Sequence, residues 1–276
     1  MTIEELIGMG VASLQQMQIS DPKRDAIVLL QYVMQMSHVD LITKSTMQVS
    51  QEAVERYQVL LAKRCQHIPV AYLIEQKEFY GLDFYITPSV LIPRPETEAL
   101  IDLLLVHHQK QKIKRLLDVG TGSGVIAITA KKHMPSVEVV AVDIDREALT
   151  VAKKNARRHE VNVMYQQSDL MQYAQGMFDV IVSNLPYIDT QTIKTLSQEV
   201  QNEPMLALDG GEAGMEIFKR FLPQTQQHLA NDGVILLEIG FDQKAAIVSC
   251  ARENGYTRVE VLQDLQGNDR VAVIQR

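Results

Sequence analysis

Leu116-Leu117-Asp118-Val119-Gly120-Thr121-Gly122-Ser123-Gly124 is an apolar run that drives straight into a turn with glycine at every second position. The run reads as a buried strand, and the residues after the turn read as a helix. Glycines let the backbone bend sharply and approach a ligand closely, while the helix start presents free N–H groups. Outward from this stretch the alternation continues. Strands are expected at 115–119, 137–142, 161–166, 178–183, 233–239, 257–262 and 270–274, with helices at 124–133, 146–158, 215–229 and 242–253. Strand–helix alternation of this kind makes an α/β fold, a mostly parallel sheet covered on both faces. There is no internal repeat and no low-complexity tract.

Upstream the character differs. Thr2 followed by Glu5 fits a capping box, and Ile3, Leu6, Ile7, Val11 and Leu14 recur at helical spacing. Asp21-Pro22 is a helix start, Ser50 opens another helix, and a shorter one is expected over 39–45. Residues 1–75 therefore read as a small helical bundle. Residues 76–92 hold Glu78-Phe79-Tyr80-Gly81-Leu82-Asp83-Phe84-Tyr85-Ile86, aromatic and β-favouring around a glycine, as in a hairpin linker. Pro93-Arg94-Pro95 stiffens the chain into an extended segment, read as a rigid linker leading into a helix N-terminus with Glu96 and Glu98 in its first turn. The remainder, 93–276, is the strand–helix domain.

Composition excludes several classes. Of 276 residues 46% are hydrophobic and 22% charged, as expected of a globular protein with a core, and the net charge is −7. An acidic balance argues against bare nucleic acid as the main partner, since phosphate binding needs clustered Lys and Arg. Cys65 and Cys250 lack C-x-x-C spacing, so neither a disulfide framework nor a zinc or other metal site is expected. The acidic N-terminus lacks the basic region of a secretory signal, and no apolar run reaches membrane-spanning length. A cytoplasmic monomer with no membrane partner is the expectation.

The glycine turn is one part of a three-part arrangement. Asp143 ends the next strand about twenty residues on, a spacing that suits a carboxylate accepting hydrogen bonds from both hydroxyls of a ribose. Ser168-Asp169-Leu170 follows the third strand, where an acid can accept from an adenine amine. A dinucleotide fold is the main rival, but the glycine spacing here is G-x-G-x-G and not G-x-G-x-x-G. A tight strand–helix turn with no ligand is the bland alternative. Asp145 reads as a helix cap, and Lys153, Lys154, Arg157 and Arg158 as a solvated helix face.

Asn184-Leu185-Pro186-Tyr187 projects from the end of the buried strand Val180-Ile181-Val182-Ser183. Ligands of a parallel sheet bind at that edge. The Asn184 side-chain carbonyl and the Leu185 peptide carbonyl could hold the two N–H bonds of an NH₂ group, with Pro186 fixing the backbone and Tyr187 stacking on a planar group. The alternative is an Asn-x-Pro turn with Tyr187 as packing. Joined to the glycine turn, the tetrapeptide points to methyl transfer from S-adenosylmethionine to an sp² nitrogen.

With these blocks the chain resembles the HemK/PrmC family over its whole length. The likeness includes Pro69-Val70-Ala71-Tyr72-Leu73, Glu78-Phe79-Tyr80-Gly81, Leu91-Ile92-Pro93-Arg94-Pro95-Glu96-Thr97-Glu98, the glycine turn and Asn184–Tyr187. It continues in Glu203-Pro204-Met205-Leu206-Ala207-Leu208-Asp209-Gly210-Gly211 and Gly267-Asn268-Asp269-Arg270. The resemblance implies a class I S-adenosylmethionine-dependent methyltransferase, Rossmann-like with a mostly parallel seven-stranded sheet, preceded by a small N-terminal all-helical domain. It implies methylation of the glutamine in the Gly-Gly-Gln motif of class I peptide-chain release factors, which the helical domain would recognise, the hairpin bridging the two domains. Gly120, Thr121, Gly122, Ser123, Gly124, Asp143, Asp169, Leu170 and Asn184 would touch the cofactor, and Asn184, Leu185, Pro186 and Tyr187 the substrate. The chain departs from the family's usual Asn-Pro-Pro-Tyr in carrying Leu185, which keeps the carbonyl but loses rigidity and gains an N–H. Two other functions fit the same residues. They are a nucleic-acid exocyclic-amine methyltransferase and a catalytically weak adaptor that binds release factors.

Overall fold

Thr2 starts the first helix as its sequence implies. Its hydroxyl accepts from the Glu5 N–H at 3.2 Å while the Glu5 carboxylate accepts from the Thr2 N–H at 2.9 Å, a closed capping box. The structure, a computed structural model describing residues 1–276, contains two compact units. The first comprises Met1–Gln76 with Ser197–Asn202. Its helices are α1 (Ile3–Gln16), α2 (Pro22–Met34), α3 (His38–Thr43), α4 (Gln51–Arg64) and the single turn α5 (Val70–Leu73). Asp21, Ser37 and Ser50 cap α2, α3 and α4. Ile3, Leu6, Leu14, Leu29, Leu30, Leu41, Val54 and Leu61 form the core. Tyr57 is buried among them and donates to the Ala26 carbonyl at 3.1 Å. Gly10 makes room for that hydroxyl, because a Cβ there would lie 2.2 Å from it.

The largest fully buried side chain of the protein is Arg64. Its Nε donates to Asp25 Oδ2 at 2.7 Å, and its Nη2 pairs with Glu199. Burial pushes the Asp25 carboxyl up from its ordinary value, and the Arg64 hydrogen bond pulls it back. The Glu199 pairing brings a turn from far along the chain into this unit, so the expected division at 93–276 needs correcting: 197–202 belongs with the helices.

The second unit is Lys77–Leu196 with Glu203–Arg276. Strands β1 (Gln76–Phe79) and β2 (Leu82–Tyr85) pair as the expected hairpin, with Tyr80 and Gly81 both at positive φ in a two-residue turn. After it come α6 (Glu98–Lys110), β3 (Arg115–Val119), α7 (Val125–His133), β4 (Glu138–Asp143), α8 (Arg146–Arg158), β5 (Met164–Gln167) and β6 (Phe178–Ser183). The short helices α9 (Thr190–Ile193) and α10 (Gln198–Gln201) were not anticipated, and α10 lies in the first unit. The chain closes with α11 (Glu216–Thr225), β7 (Leu229–Glu238), α12 (Lys244–Glu253), β8 (Arg258–Gln263) and β9 (Asp269–Gln275). The hairpin is stitched into this unit. Asn155 of α8 accepts from the Tyr85 N–H at 2.7 Å and donates to its carbonyl at 2.9 Å, and the Tyr80 hydroxyl donates to Asp102 of α6 at 2.7 Å.

The sheet has seven strands in the order β5-β4-β3-β6-β7-β9-β8. Neighbours from β5 to β7 are parallel, and β9 runs antiparallel to both β7 and β8. This is the mostly parallel seven-stranded arrangement the alternation implies. Strand β7 begins earlier than expected and α11 ends sooner. A register shift against β6 between Phe178 and Val180 absorbs the polar Asn231-Asp232-Gly233 that reads as a turn in sequence. The chain winds outward in both directions from β3. Its carboxyl end and those of β4 and β6 therefore meet at the switch point, where open α/β sheets hold their ligands.

Candidate functional site

A cavity of about 1170 Å³, its open mouth included, lies across those strand ends. This is the scale of a site for a nucleotide-sized molecule, roughly 300–1,000 Å³. The glycine turn forms its floor. Gly120, Gly122 and Gly124 all take positive φ, which L side chains rarely adopt. A Cβ on Gly122 would meet nothing within 4 Å, so this backbone fronts open space, whereas one on Gly124 would lie 2.8 Å from Ile128. Gly120, Thr121, Gly122 and Ser123 line the cavity; Gly124 does not, and lets α7 pack against α8.

Two carboxyls shape the turn. Asp118 lies fully buried behind it, accepting from the Thr121 hydroxyl at 2.7 Å and the Ala127 N–H at 3.2 Å. Burial pushes its acid up to about 7. Asp143, at the end of β4, accepts from the Gly122 N–H at 2.8 Å and the Asp145 N–H at 2.9 Å, one on each oxygen. Each oxygen keeps a lone pair, and the residue lines the cavity, so it can receive a pair of hydroxyls. The structure also gives Asp143 a task that sequence spacing did not reveal, which is to hold the glycine turn itself. Burial raises this acid too, and its backbone donors oppose the rise.

Ser168, Asp169 and Leu170 line the third side. Leu170 takes a left-handed φ of 51° and is buried. The Asp169 carboxylate is shared with Arg220 of α11, 2.5 Å away, a partner the sequence did not disclose. Pro93 and Arg94 of the segment read as a spacer line the cavity and form one of its walls. Glu203 fastens it, pairing with the Arg94 guanidinium and accepting from the Ile92 N–H at 3.0 Å.

Asn184, Leu185 and Pro186 close the fourth side. Asn184 Nδ2 donates to Thr97 Oγ1 at 3.0 Å, and Oδ1 has no protein partner. Leu185 is buried in the sheet core, and its N–H donates to no protein acceptor. Tyr187 is absent from the lining. Its ring packs on the core, its hydroxyl donates to Glu238 Oε1 at 3.3 Å, and its carbonyl accepts from Gln243 Nε2 at 2.9 Å. The structure thus assigns Tyr187 an anchoring task where stacking was expected. Gly214 permits it, because a Cβ there would collide with the Tyr187 carbonyl at 2.0 Å.

Leu185→Pro separates the carbonyl from the side chain. Proline removes no protein hydrogen bond at this N–H, so turnover is expected to stay within about fivefold of the parent, roughly 1 kcal/mol in barrier. The lost leucine packing should cost stability, about 1–3 kcal/mol. Denaturant unfolding beside a turnover assay checks both, and a collapse in turnover with unchanged stability would refute the separation.

A mostly parallel sheet in this strand order, with a glycine turn, an acidic strand end and an Asn-x-Pro corner at one edge, defines a class I methyltransferase fold. Residues 97–211 match the family described as Methyltransferase small domain, and residues 5–74 the PrmC N-terminal domain. A Release factor glutamine methyltransferase of Koribacter versatilis is 37% identical, covering 99% of this chain and 98% of that one. One of Neisseria gonorrhoeae is also 37% identical, covering 99% and 97%. A solved structure, a ribosomal protein L11 methylase of Lactobacillus delbrueckii, is 26% identical with a TM-score of 0.50, covering 66% of this chain and 80% of that one. The chain is a methyltransferase, and it belongs to the family of the release factor glutamine methyltransferases.

Proposed function

We propose that this enzyme methylates the side-chain amide nitrogen of the glutamine in the Gly-Gly-Gln motif of class I release factors, with S-adenosylmethionine as donor. The observation that carries this reading is the Asn184 amide, held by Thr97 with its Oδ1 unengaged beside a glycine-floored cavity. Family membership supports the substrate, and the match of residues 5–74 to the PrmC N-terminal domain supports recognition of the release factor by the helical unit.

The residues present fit the donor. Gly120–Ser123 offer a backbone cradle that a Cβ at Gly122 would fill, Asp143 would offer paired acceptor oxygens to a ribose, and Asp169 and Leu170, which also line the cavity, would hold the adenine end. When bound, S-adenosylmethionine supplies an electrophilic methyl group. The chain's own residues supply alignment. A primary amide nitrogen is a weak nucleophile because its lone pair is delocalised into its carbonyl, so orientation and stabilisation of charge developing on nitrogen must carry the rate. Asn184 Oδ1 and the Leu185 carbonyl accept the two N–H bonds and leave the nitrogen facing the donor. Val90, Leu91 and Leu206 give the cavity an apolar part of its lining.

Mass spectrometry of a class I release factor incubated with enzyme and S-adenosylmethionine tests this reading. A single added methyl on the Gly-Gly-Gln glutamine is expected. Methylation of nucleic acid, with the release factor left unmodified, would replace it. Asp143→Ala should weaken binding of S-adenosylmethionine about ten- to a hundredfold, the roughly 1.5–3 kcal/mol of hydrogen bonds to a charged group. Calorimetry showing parental affinity would mean that the ribose binds elsewhere.

A further inference from the structure

Glu238 ends β7 with its side chain fully buried, and no part of the proposed mechanism so far uses it. Both of its oxygens are engaged. Oε2 accepts from the Thr97 hydroxyl at 2.7 Å, and Oε1 from the Tyr187 hydroxyl at 3.3 Å. Thr97, itself buried, in turn receives the Asn184 Nδ2–H at 3.0 Å. The three side chains form one directed chain, Asn184 to Thr97 to Glu238, which begins at the cavity and ends in the core.

Its direction matters more than its length. A threonine hydroxyl has one proton to give. A carboxylate can only accept, so it claims that proton, and the Thr97 oxygen is left to accept from Asn184. The amide of Asn184 must then turn its NH₂ inward and its Oδ1 toward the cavity. Without an acceptor at position 238, the Thr97 hydroxyl is free to donate to Asn184 Oδ1. The amide could then flip and present N–H groups to a substrate that itself brings N–H groups. We propose that Glu238 is a positioning residue which, acting through Thr97, sets the polarity of the Asn184 amide and so makes the site select an amide NH₂ over a hydrogen-bond acceptor. This deepens the proposed function and rests on it for the identity of the substrate.

Glu238 closes the core end of this chain, and the groups around it offset part of what burial costs its carboxylate. Burial pushes its acid up to about 7, while the Thr97 hydrogen bond, the Arg270 guanidinium and the Tyr187 hydroxyl pull it down and Glu96 pushes it up. Above that value the carboxylate accepts from both hydroxyls. Tyr187 is held protonated by its burial and by the neighbouring Glu238, which keeps it a donor. Tyr187 thus ties the tetrapeptide to the same carboxylate by a second route, so that backbone and side chain of the corner share one anchor.

The test compares Thr97→Val, Thr97→Ser and Glu238→Leu with the parent at pH 8. Valine keeps the shape and removes the hydroxyl, serine keeps the hydroxyl, and leucine removes the acceptor without leaving a buried charge. Thr97→Val and Glu238→Leu should each lower kcat by about ten- to a hundredfold, as misoriented catalytic groups do. Binding of S-adenosylmethionine and KM for the release factor should stay within about threefold, and Thr97→Ser should recover most of the rate. A structural role alone would not produce that split. Parental kcat in Thr97→Val, no recovery in Thr97→Ser, or a loss matched by the unfolded fraction in thermal melts would each overturn the proposal.

A readout independent of turnover comes from the side-chain amide of Asn184 in ¹⁵N-labelled protein, its signals identified by their loss in Asn184→Ala. One Nδ2 proton should be protected from exchange in the parent and in Thr97→Ser, and lose that protection in Thr97→Val. An unchanged signal in Thr97→Val would overturn the relay. If the parent shows the protected proton yet leaves release factors unmethylated, the relay stands and the proposed substrate fails.

Discussion

Asn184→Ala is expected to cut methyl transfer by about a hundredfold or more, because in the proposed mechanism it removes an acceptor aimed at charge that develops only as the methyl group moves. The side chain makes a single protein hydrogen bond, to Thr97, and the residue is not part of the apolar core, so the fold should tolerate the change. Affinity for S-adenosylmethionine should fall far less than turnover, since Gly120–Ser123 and Asp143 remain in place. Single-turnover kinetics with saturating cofactor measures the step directly. Near-parental rates would show that the Leu185 carbonyl alone aligns the amide, and the mechanism built on a paired acceptor would have to go.

Arg64→Met should destabilise the helical unit by about 3 kcal/mol, the lower end for breaking a buried ion pair from one side. The guanidinium is 1% exposed and pairs with both Asp25 and Glu199. Methionine fills much of the volume, so the cost comes chiefly from the Asp25 carboxyl left without its partner in a site that is 12% exposed. Adding Asp25→Asn to Arg64→Met should return part of the loss, because it removes the stranded charge. Urea unfolding of the single and double variants reads this as a coupling energy. Equal stability of Arg64→Met and parent would mean that apolar packing alone carries the bundle. The segment 197–202 should also loosen in Arg64→Met, and hydrogen exchange there reports it.

These two residues mark the two ways the sequence could be read. Asn184 announces itself, because it follows an apolar strand and precedes a proline, and the consequence of that local pattern is local. The same holds for Gly120, Gly122 and Asp143. Strand β3 needs a turn after it, the turn needs positive φ, and the end of β4 lies beside it through parallel pairing of neighbouring elements. Helix caps at Thr2, Asp21, Ser37 and Ser50 are legible for the same reason, since each bond closes within three residues of the cap.

What only the tertiary structure decided are the partners of polar groups far apart in the chain. Thr97 and Glu238 are 141 residues apart, and Arg64 and Glu199 are 135 apart. Neither spacing has a period to detect. Glu238 did leave one trace, a carboxylate closing the otherwise apolar Val234-Ile235-Leu236-Leu237, a place where a charge is costly unless something answers it. The trace could not name Thr97 or Tyr187 as the answer. Likewise the Pro-Arg-Pro segment reads as a stiff spacer from its own backbone chemistry, and becomes a cavity wall only because Glu203 fastens it. Tyr187 reads as a stacking platform from its residue type, and becomes an anchor only because its hydroxyl finds Glu238. Local periodicity and turn chemistry determined the elements, the sheet and the glycine-turn corner of the cavity. Desolvation decided the rest, because a buried polar group takes whichever partner folding brings within reach, and the chain between them carries no record of the choice.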